Sequence, residues 1–177
     1  MLKASILRAG GSHTEAFHLL EEARRLAPQS AVVANEISSM LLRSANELNK
    51  QRNFQEAWYQ YQEVLKYNPD SFWALYQMVI LAMFSNQPDL AGQFLEQGMA
   101  KYPDSPMFRA LRGKYRGTLG DPAAACEDYQ YAVSLLPDHP MLWREYAFFL
   151  RQAGRAAEAD EAEAKADKLQ GPGRVKR

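Results

Sequence analysis

Small apolar residues recur at a fixed spacing along most of this chain. Five alanines mark the pattern, with gaps of 41, 34, 34 and 34 residues between them: Ala16, Ala57, Ala91, Ala125 and Ala159. A large apolar residue follows four positions later in the first four copies, and a small or branched residue follows seven positions later in every copy. Offsets of four and seven lie on one face of an α-helix. The pattern therefore predicts one amphipathic helix in each copy.

Prolines and turn residues limit each predicted helix. Pro28, Pro69, Pro103 and Pro137 stand twelve positions after the first four alanines. Proline lacks an amide donor and disfavours helical geometry in the residue before it, so each helix should end ahead of its proline. Turn residues precede the same helices, and a partner helix is expected before each turn. These turn residues are Gly10-Gly11-Ser12, Asn53, Asn86, Gly120-Asp121 and Gly154.

Two copies depart from the repeat in ways that change the predicted helices. The gap of 41 residues adds seven residues to the second copy, about two helical turns, so residues 31–51 should form one long helix. Its expected core residues are Val33, Ile37, Met40, Leu41 and Leu48. The last copy is rich in alanine and acids and has no large apolar residue until Leu169. That composition is typical of a capping helix that faces water.

The repeat resembles the tetratricopeptide repeat, a helix–turn–helix of about 34 residues with the pattern W-x2-L-G-x2-Y, A-x3-F, A and P. The last copy carries the first part of that pattern in Trp143, Tyr146, Ala147 and Leu150, and the fourth copy carries Gly113. The Leu-Gly-Asp of residues 119–121 matches as well. The resemblance implies an all-α fold, an α-α superhelix (solenoid) of helix pairs.

The same resemblance implies one array over residues 1–170. Its repeats are expected at about 1–30, 31–71, 72–105, 106–139 and 140–170. Residues 171–177 are expected to form a disordered tail.

Charge and composition narrow the classes of partner. The chain has 177 residues with 21 Lys plus Arg and 21 Asp plus Glu, so its formal net charge is zero. Proteins that bind nucleic acid usually carry a basic excess, so a nucleic-acid partner is not expected. No stretch reaches the roughly 18 apolar residues of a membrane span, and the N-terminus lacks the apolar core of a signal peptide. We therefore expect a soluble, cytoplasmic protein without membrane insertion.

The sequence has no motif for catalysis or metal binding. It lacks HExxH, CxxC, GxSxG and Walker-type patterns, and its histidines have no Cys, Asp or Glu at metal-ligand spacing. The single cysteine, Cys126, follows the packed alanine of its repeat and should be a small core residue. We therefore expect no enzyme activity, no metal and no cofactor.

Three arginines share one helical face in the fourth repeat, where the resemblance implies apolar core residues. Arg109, Arg112 and Arg116 are spaced by three and four. Three buried, unpaired guanidiniums would be strongly destabilising, so they need partners or solvent. One interpretation leaves them on a solvated edge or pairs them with a local acid. The candidate acids are Glu127, Asp128 and Glu145.

A second interpretation rotates this helix by about 100°. Phe108, Leu111 and Tyr115 would then pack inward. The arginines would form a basic stripe on the concave surface and would meet an acidic partner.

The resemblance also implies a concave groove lined by the first helix of each pair. Family offsets place cationic, amide and aromatic side chains there: Arg43, Asn46, Lys50, Trp73, Tyr76, Gln77, Ile80, Lys114, Arg144, Phe148 and Arg151. Aromatic rings supply contact area at a small entropy loss, and arginine makes forked bonds to carboxylates. Each single charge could equally be solvated surface, and Trp73 and Tyr76 could instead pack between helices.

The sequence therefore favours a non-catalytic scaffold that binds a protein or peptide segment, an acidic one under the second interpretation, in its concave groove. Two alternatives stay open. The first repeat has about ten residues before its turn, so stacking of this end on another chain would give a homo-oligomer. The chain could also be an accessory domain of a larger enzyme.

Overall fold

The computed structural model describes the backbone of residues 13–170, and the side chains of residue 15 and residues 17–170. Within these residues the chain forms nine α-helices and no strand. The helices are α1 His13–Leu26, α2 Ala31–Lys50, α3 Phe54–Tyr67, α4 Phe72–Phe84, α5 Pro88–Lys101, α6 Pro106–Thr118, α7 Pro122–Leu135, α8 Pro140–Gln152 and α9 Ala156–Gln170. The predicted turn at residues 10–12 and the predicted tail at residues 171–177 lie outside the described residues.

Helix ends follow the local signals in the sequence. Helices α1, α3, α5 and α7 each end two residues before the proline expected to stop them. The side chain of Asp121 accepts a hydrogen bond from the amide of Ala124 at 2.9 Å, which satisfies a free donor at the start of α7. Gly120 and Gly154 adopt positive φ angles of 86° and 76°, which let the chain reverse between paired helices.

Backbone contacts divide the chain into two compact units, and the first of them ends at Leu81. In this unit α2 packs along α3 and against α1. Ile37, Tyr61 and Val64 are fully buried there. Helix α2 runs for 20 residues, so the long helix predicted from the wider gap is confirmed.

The core expected for α2 is only partly correct. Val33, Ile37 and Leu41 are buried as predicted. Met40 and Leu48 were expected beside them but are only half-buried, because both line a cleft of about 660 Å³ between α1, α2 and α3. Periodicity indicates which face of a helix is apolar, but it does not show whether a neighbour covers that face.

The second unit begins at Ala82. Its helices contact one another in sequence, with α5 against α6, α6 against α7, α7 against α8 and α8 against α9. The phenyl ring of Phe149 lies against Gly117, where a Cβ atom would be only 2.0 Å from a ring carbon. Cys126 is buried in the core of this unit, as the sequence predicts.

Helix α9 presents alanines inward and charged residues outward. Ala159, Ala162 and Ala166 are buried, whereas most of the intervening acids and lysines are exposed. This is the arrangement expected for a capping helix. Across the described residues, no helix is both long enough and apolar enough to cross a membrane.

Candidate partner-binding site

A buried carboxylate on α7 holds two arginines of α6 by hydrogen bonds. The Asp128 side chain is only 1% exposed. It accepts hydrogen bonds from Nε of Arg112 at 3.1 and 2.9 Å and from Nη1 of Arg116 at 3.0 Å. Nη2 of Arg112 also donates to this carboxylate. The hydrogen bonds to Asp128 raise the pKa of the Arg112 guanidinium above its usual value.

Arg109 approaches the same carboxylate less closely. Its Nη1 lies 3.6 Å from Oδ1 of Asp128, a distance suited to an ion pair but too long for a good hydrogen bond. Its guanidinium carbon stands 4.5 Å from the ring centroid of Tyr131 on α7, in a cation–π contact. The Nε atom of Arg109 is buried and has no hydrogen-bond acceptor among the described residues.

The structure therefore contains elements of both interpretations of the arginine face. The three arginines are paired with a local acid, and that acid is Asp128. Phe108 and Leu111 are also buried, as the rotated helix requires, whereas Tyr115 is only half-buried. The arginine side chains keep 25% to 34% of their surface exposed, so they remain accessible from solvent. Their contact with an acidic partner stays a prediction. We call Arg109, Arg112, Arg116 and Asp128 the arginine cluster.

The other acids near this cluster have different positions. Glu127 is exposed on α7. Glu145 on α8 lies 3.5 Å from Nζ of Lys114 and accepts a hydrogen bond from the hydroxyl of Tyr129 at 3.1 Å. Lys114, a predicted site residue, is therefore tied to α8 by this carboxylate.

One face of α8 carries three predicted site residues and one that the sequence analysis missed. Arg144, Phe148 and Arg151 share this face with Met141, since all are spaced by three or four. Met141 and Phe148 are 51% and 55% exposed, which is high for large apolar side chains. Met141 could have been predicted as a site residue because it precedes Arg144 by three positions on the same helix. We call these four residues the α8 stripe.

Both arginines of the α8 stripe are joined to acids of α9. Arg144 donates from Nη2 to Asp167 at 2.9 Å and to Gln170 at 2.8 Å. Arg151 donates from Nη2 to Asp160 at 2.9 Å. This hydrogen bond is the main cause of a raised pKa for the Arg151 guanidinium. The positive charge of the stripe is therefore largely balanced within the second unit.

The predicted residues of α2 in the first unit form a mainly polar set. The Tyr61 hydroxyl donates to Oδ1 of Asn46 at 2.7 Å, and burial raises the pKa of Tyr61 to about 12. Lys50 pairs with Glu47 at 3.5 Å on the helix surface. Arg43 is exposed and lines the cleft between α1, α2 and α3.

The predicted site residues of α4 comprise one side-chain amide, two aromatic rings and an isoleucine. Nδ2 of Asn49, which the sequence analysis did not select, donates to Gln77 at 3.4 Å. The ring of Trp73 contacts Tyr76 edge to face with centroids 6.0 Å apart. Trp73 is nevertheless 51% exposed, and Ile80 on the same face is half-buried.

Comparisons with known proteins bear on the fold of the chain. A family model of the tetratricopeptide repeat matches residues 48–115. Within these residues the chain carries the tetratricopeptide repeat. A search of curated proteins found no match. The all-α helical-repeat solenoid expected for a tetratricopeptide repeat protein is confirmed as the fold class.

Solved structures of other repeat proteins share this fold. A double mutant of MamA RS-1 is 21% identical over 98% of this chain and 93% of its own, with a TM-score of 0.69. MamA from Desulfovibrio magneticus RS-1 is 22% identical over 94% and 90% of the two chains, with a TM-score of 0.66. YrrB, described as a TPR protein with an unusual peptide-binding site, is 15% identical over 96% and 84%, with a TM-score of 0.66. At these identities the likeness shows the tetratricopeptide fold.

Proposed function

We propose that this tetratricopeptide repeat protein is an interaction scaffold that binds a peptide segment on the α8 stripe. The fold itself supports a protein-interaction scaffold, and YrrB of the same fold is described as having a peptide-binding site. The observation that carries the proposal is the exposure of Met141 and Phe148, two large apolar side chains that alternate with two arginines along one helix face. A few such anchors supply most of the binding energy in protein interfaces.

The charges around the α8 stripe determine the kind of peptide that it would bind. Arg144 and Arg151 are already paired with acids of α9, so a purely acidic peptide would have to compete with Asp160 and Asp167. We therefore propose a peptide with apolar side chains at its centre and an acidic group at its edge. Apolar contact supplies the affinity, and the arginines orient the peptide and accelerate its association.

Helix α4 offers a second surface of similar character in the first unit. Trp73 is exposed beside Tyr76, and Ile80 follows on the same helix face. Aromatic side chains with few rotatable bonds lose little entropy when they bind. We include these residues in the proposal as a separate contact surface.

The proposal is tested with a peptide selected by the protein itself. A phage-displayed library of random dodecapeptides is panned against the full chain, and a recovered peptide is labelled for fluorescence polarisation. Phe148→Ala is expected to weaken its binding by tenfold or more, because an anchor of this kind contributes about 2 kcal/mol. Leu135→Ala is the matched control, since Leu135 on α7 is similarly exposed and lies outside the stripe. Equal affinity of Phe148→Ala and the unmodified chain for every recovered peptide would refute the proposal.

Self-assembly through the first unit is the second candidate function. The cleft between α1, α2 and α3 has apolar walls from Phe17, Met40 and Leu48. Burial of such a surface against a second copy would be favourable. Sedimentation velocity of the full chain over a hundredfold range of concentration tests this, and a constant monomer mass would exclude it. A non-enzymatic role stays a prediction.

A further inference from the structure

Helices α6 and α7 carry more positive charge around Asp128 than the nearby carboxylates balance. Three guanidiniums surround this one buried carboxylate. Among the described residues, no carboxylate other than Asp128 lies within 4 Å of these guanidiniums, and the exposed Glu127 attracts Arg112 through space. A positive excess therefore persists at the arginine cluster even when both acids are ionised.

Most hydrogen-bond donors of the arginine cluster have no acceptor among the described residues. A guanidinium carries five N–H donors. Within residues 13–170, Arg116 donates to Asp128 from one nitrogen only, and Arg109 makes an ion pair but no hydrogen bond. Arg109 is thus the member of the cluster whose partly exposed guanidinium gains most from an external acceptor.

The cluster is open to solvent on its cationic side only. The arginine side chains are 32%, 25% and 34% exposed, whereas the side chain of Asp128 is 1% exposed. A molecule that approaches from water therefore meets guanidinium groups and not the carboxylate. Anions are attracted to such a site, and external cations are not.

We propose that Arg109, Arg112 and Arg116 bind a phosphate group. A phosphate monoester carries close to two negative charges and three acceptor oxygens, which suits three guanidiniums with a net positive excess. The position between Arg112 and Arg116 that a carboxylate would favour is already filled by Asp128. This site goes beyond the peptide contact proposed for the α8 stripe and does not depend on it. The phosphate comes from the free ion or from a phosphorylated residue of a partner protein.

Calorimetric titration of the full chain tests the proposal in 50 mM sodium chloride. The probes are inorganic phosphate and an N-acetylated, C-amidated glycine–phosphoserine–glycine peptide, with the serine and glutamate peptides for comparison. We expect at least one phosphate probe to bind, the serine peptide not to bind, and the glutamate peptide to bind at least tenfold more weakly than the phosphate probe.

Variants distinguish a specific site from general attraction. Arg109→Gln should weaken phosphate binding about tenfold, because it removes a charge-assisted hydrogen-bonding group and leaves the bonds from Arg112 and Arg116 to Asp128 in place. Arg109→Lys keeps the charge but loses the planar fork, so it should also bind more weakly and serves if the glutamine variant folds poorly. Arg155→Gln is the matched control, since Arg155 in the same unit pairs only with Glu158 among the described acids.

The outcomes separate the sources and the alternatives. Binding of inorganic phosphate alone indicates the free ion, and preferential binding of the phosphoserine peptide indicates a modified partner, so either result supports the site. Absence of binding by both phosphate probes would overturn the proposal. Equal binding of the glutamate peptide, or an equal loss in Arg155→Gln, would also overturn it. Phe148→Ala should leave phosphate binding unchanged, so failure of the α8 peptide site is detected separately.

Discussion

Two helix pairs of the second unit have corresponding positions in the repeat but fill them with opposite chemistry. Pair α8/α9 lies 34 residues after pair α6/α7. The corresponding residues are Arg109 and Trp143, Arg112 and Tyr146, Arg116 and Leu150, and Asp128 and Ala162. In α8/α9 the side chains of Tyr146 and Leu150 are buried by apolar packing. In α6/α7 a buried carboxylate and three arginines take their place.

In each pair, the residues at these positions are matched to one another in charge and size. A long cation on α6 needs a carboxylate on α7, and a large apolar residue on α8 needs a small one, Ala162, on α9. An ionic interior depends on every partner, because an uncompensated charge is left when one is lost. The ionic pair in return keeps its cationic groups partly exposed, which an apolar pair cannot do.

The largest expected effect comes from removal of the shared carboxylate. Asp128→Ala leaves three guanidiniums without their acceptor, and we expect a loss of about 3 kcal/mol in the free energy of unfolding. Because the arginines are partly exposed, we expect a loss at the lower end of the range found for broken buried ion pairs. Urea denaturation followed by circular dichroism measures it. Ala162→Gly at the corresponding position is the control and should cost about 1.5 kcal/mol, from lost helix propensity and a lost buried methyl group. Similar losses in both variants would remove the distinction between the pairs.

Conversion of one interior into the other is the next test. A quadruple variant with Arg109→Trp, Arg112→Tyr, Arg116→Leu and Asp128→Ala gives α6/α7 the residues of α8/α9. We expect it to fold and to gain about 1 to 2 kcal/mol, because apolar replacements of buried ion pairs are often neutral or stabilising. The same urea titration measures this gain. A loss of more than about 2 kcal/mol would mean that the ionic network shapes the backbone of this pair.

The helices of both pairs could be predicted from sequence because their signals are local. Each packed alanine lies within its own helix, and a stop proline such as Pro137 lies two residues after the helix that it ends. The partner of the arginines depends instead on the rotation of α7. Glu127 and Asp128 are adjacent in sequence, but about 100° of helical rotation places the first in solvent and the second inside. Asp128 lies three residues after buried Ala125 and therefore on the same face of α7. This spacing could have identified Asp128, and not Glu127, as the inward-facing acid.

Other features of the two units could not be predicted from the sequence. The exposure of Met40 and Leu48 depends on how closely α1 covers α2, which is a property of tertiary packing. The partner of Arg151 is likewise a choice among several acids of α9, and geometry selects Asp160 and Glu163. Sequence therefore predicts which face a residue occupies more readily than which partner it contacts.

A smaller effect is expected where the two pairs differ by one methyl group. Gly113 in α6 corresponds to buried Ala147 in α8. A Cβ atom at Gly113 would lie 2.9 Å from the ring of Tyr129 and 3.1 Å from the carbonyl oxygen of Ala125. We expect Gly113→Ala to lower the free energy of unfolding by about 1 kcal/mol, since overpacking outweighs the gain in helix propensity.

The reverse substitution at the corresponding position of α8 tests the same difference between the two pairs. Ala147→Gly removes a buried methyl group and adds a flexible residue to α8, so it should cost about 1.5 kcal/mol. Both losses follow from urea denaturation. A more stable Gly113→Ala variant would show that Tyr129 can move and that both pairs accept alanine at this position.

The smallest effect is expected at an exposed ion pair between Arg155, which directly precedes α9, and Glu158 in the first turn of α9. A hydrogen bond from Arg155 lowers the pKa of Glu158 below its usual value of 4.5. A carboxylate with a lowered folded pKa stabilises the protein above its unfolded pKa, and this contribution is lost as the pH falls through the folded value. Glu158→Gln should therefore lower the melting temperature slightly at pH 7, and the difference from the unmodified chain should vanish below the folded pKa.

Salt separates this exposed pair from the arginine cluster. Added 1 M sodium chloride should reduce the difference in melting temperature caused by Glu158→Gln, because exposed charges are screened. The loss in Asp128→Ala should persist in the same salt, since a buried pair is screened much less. A salt-independent difference for Glu158→Gln would place this surface pair in the same class as the arginine cluster.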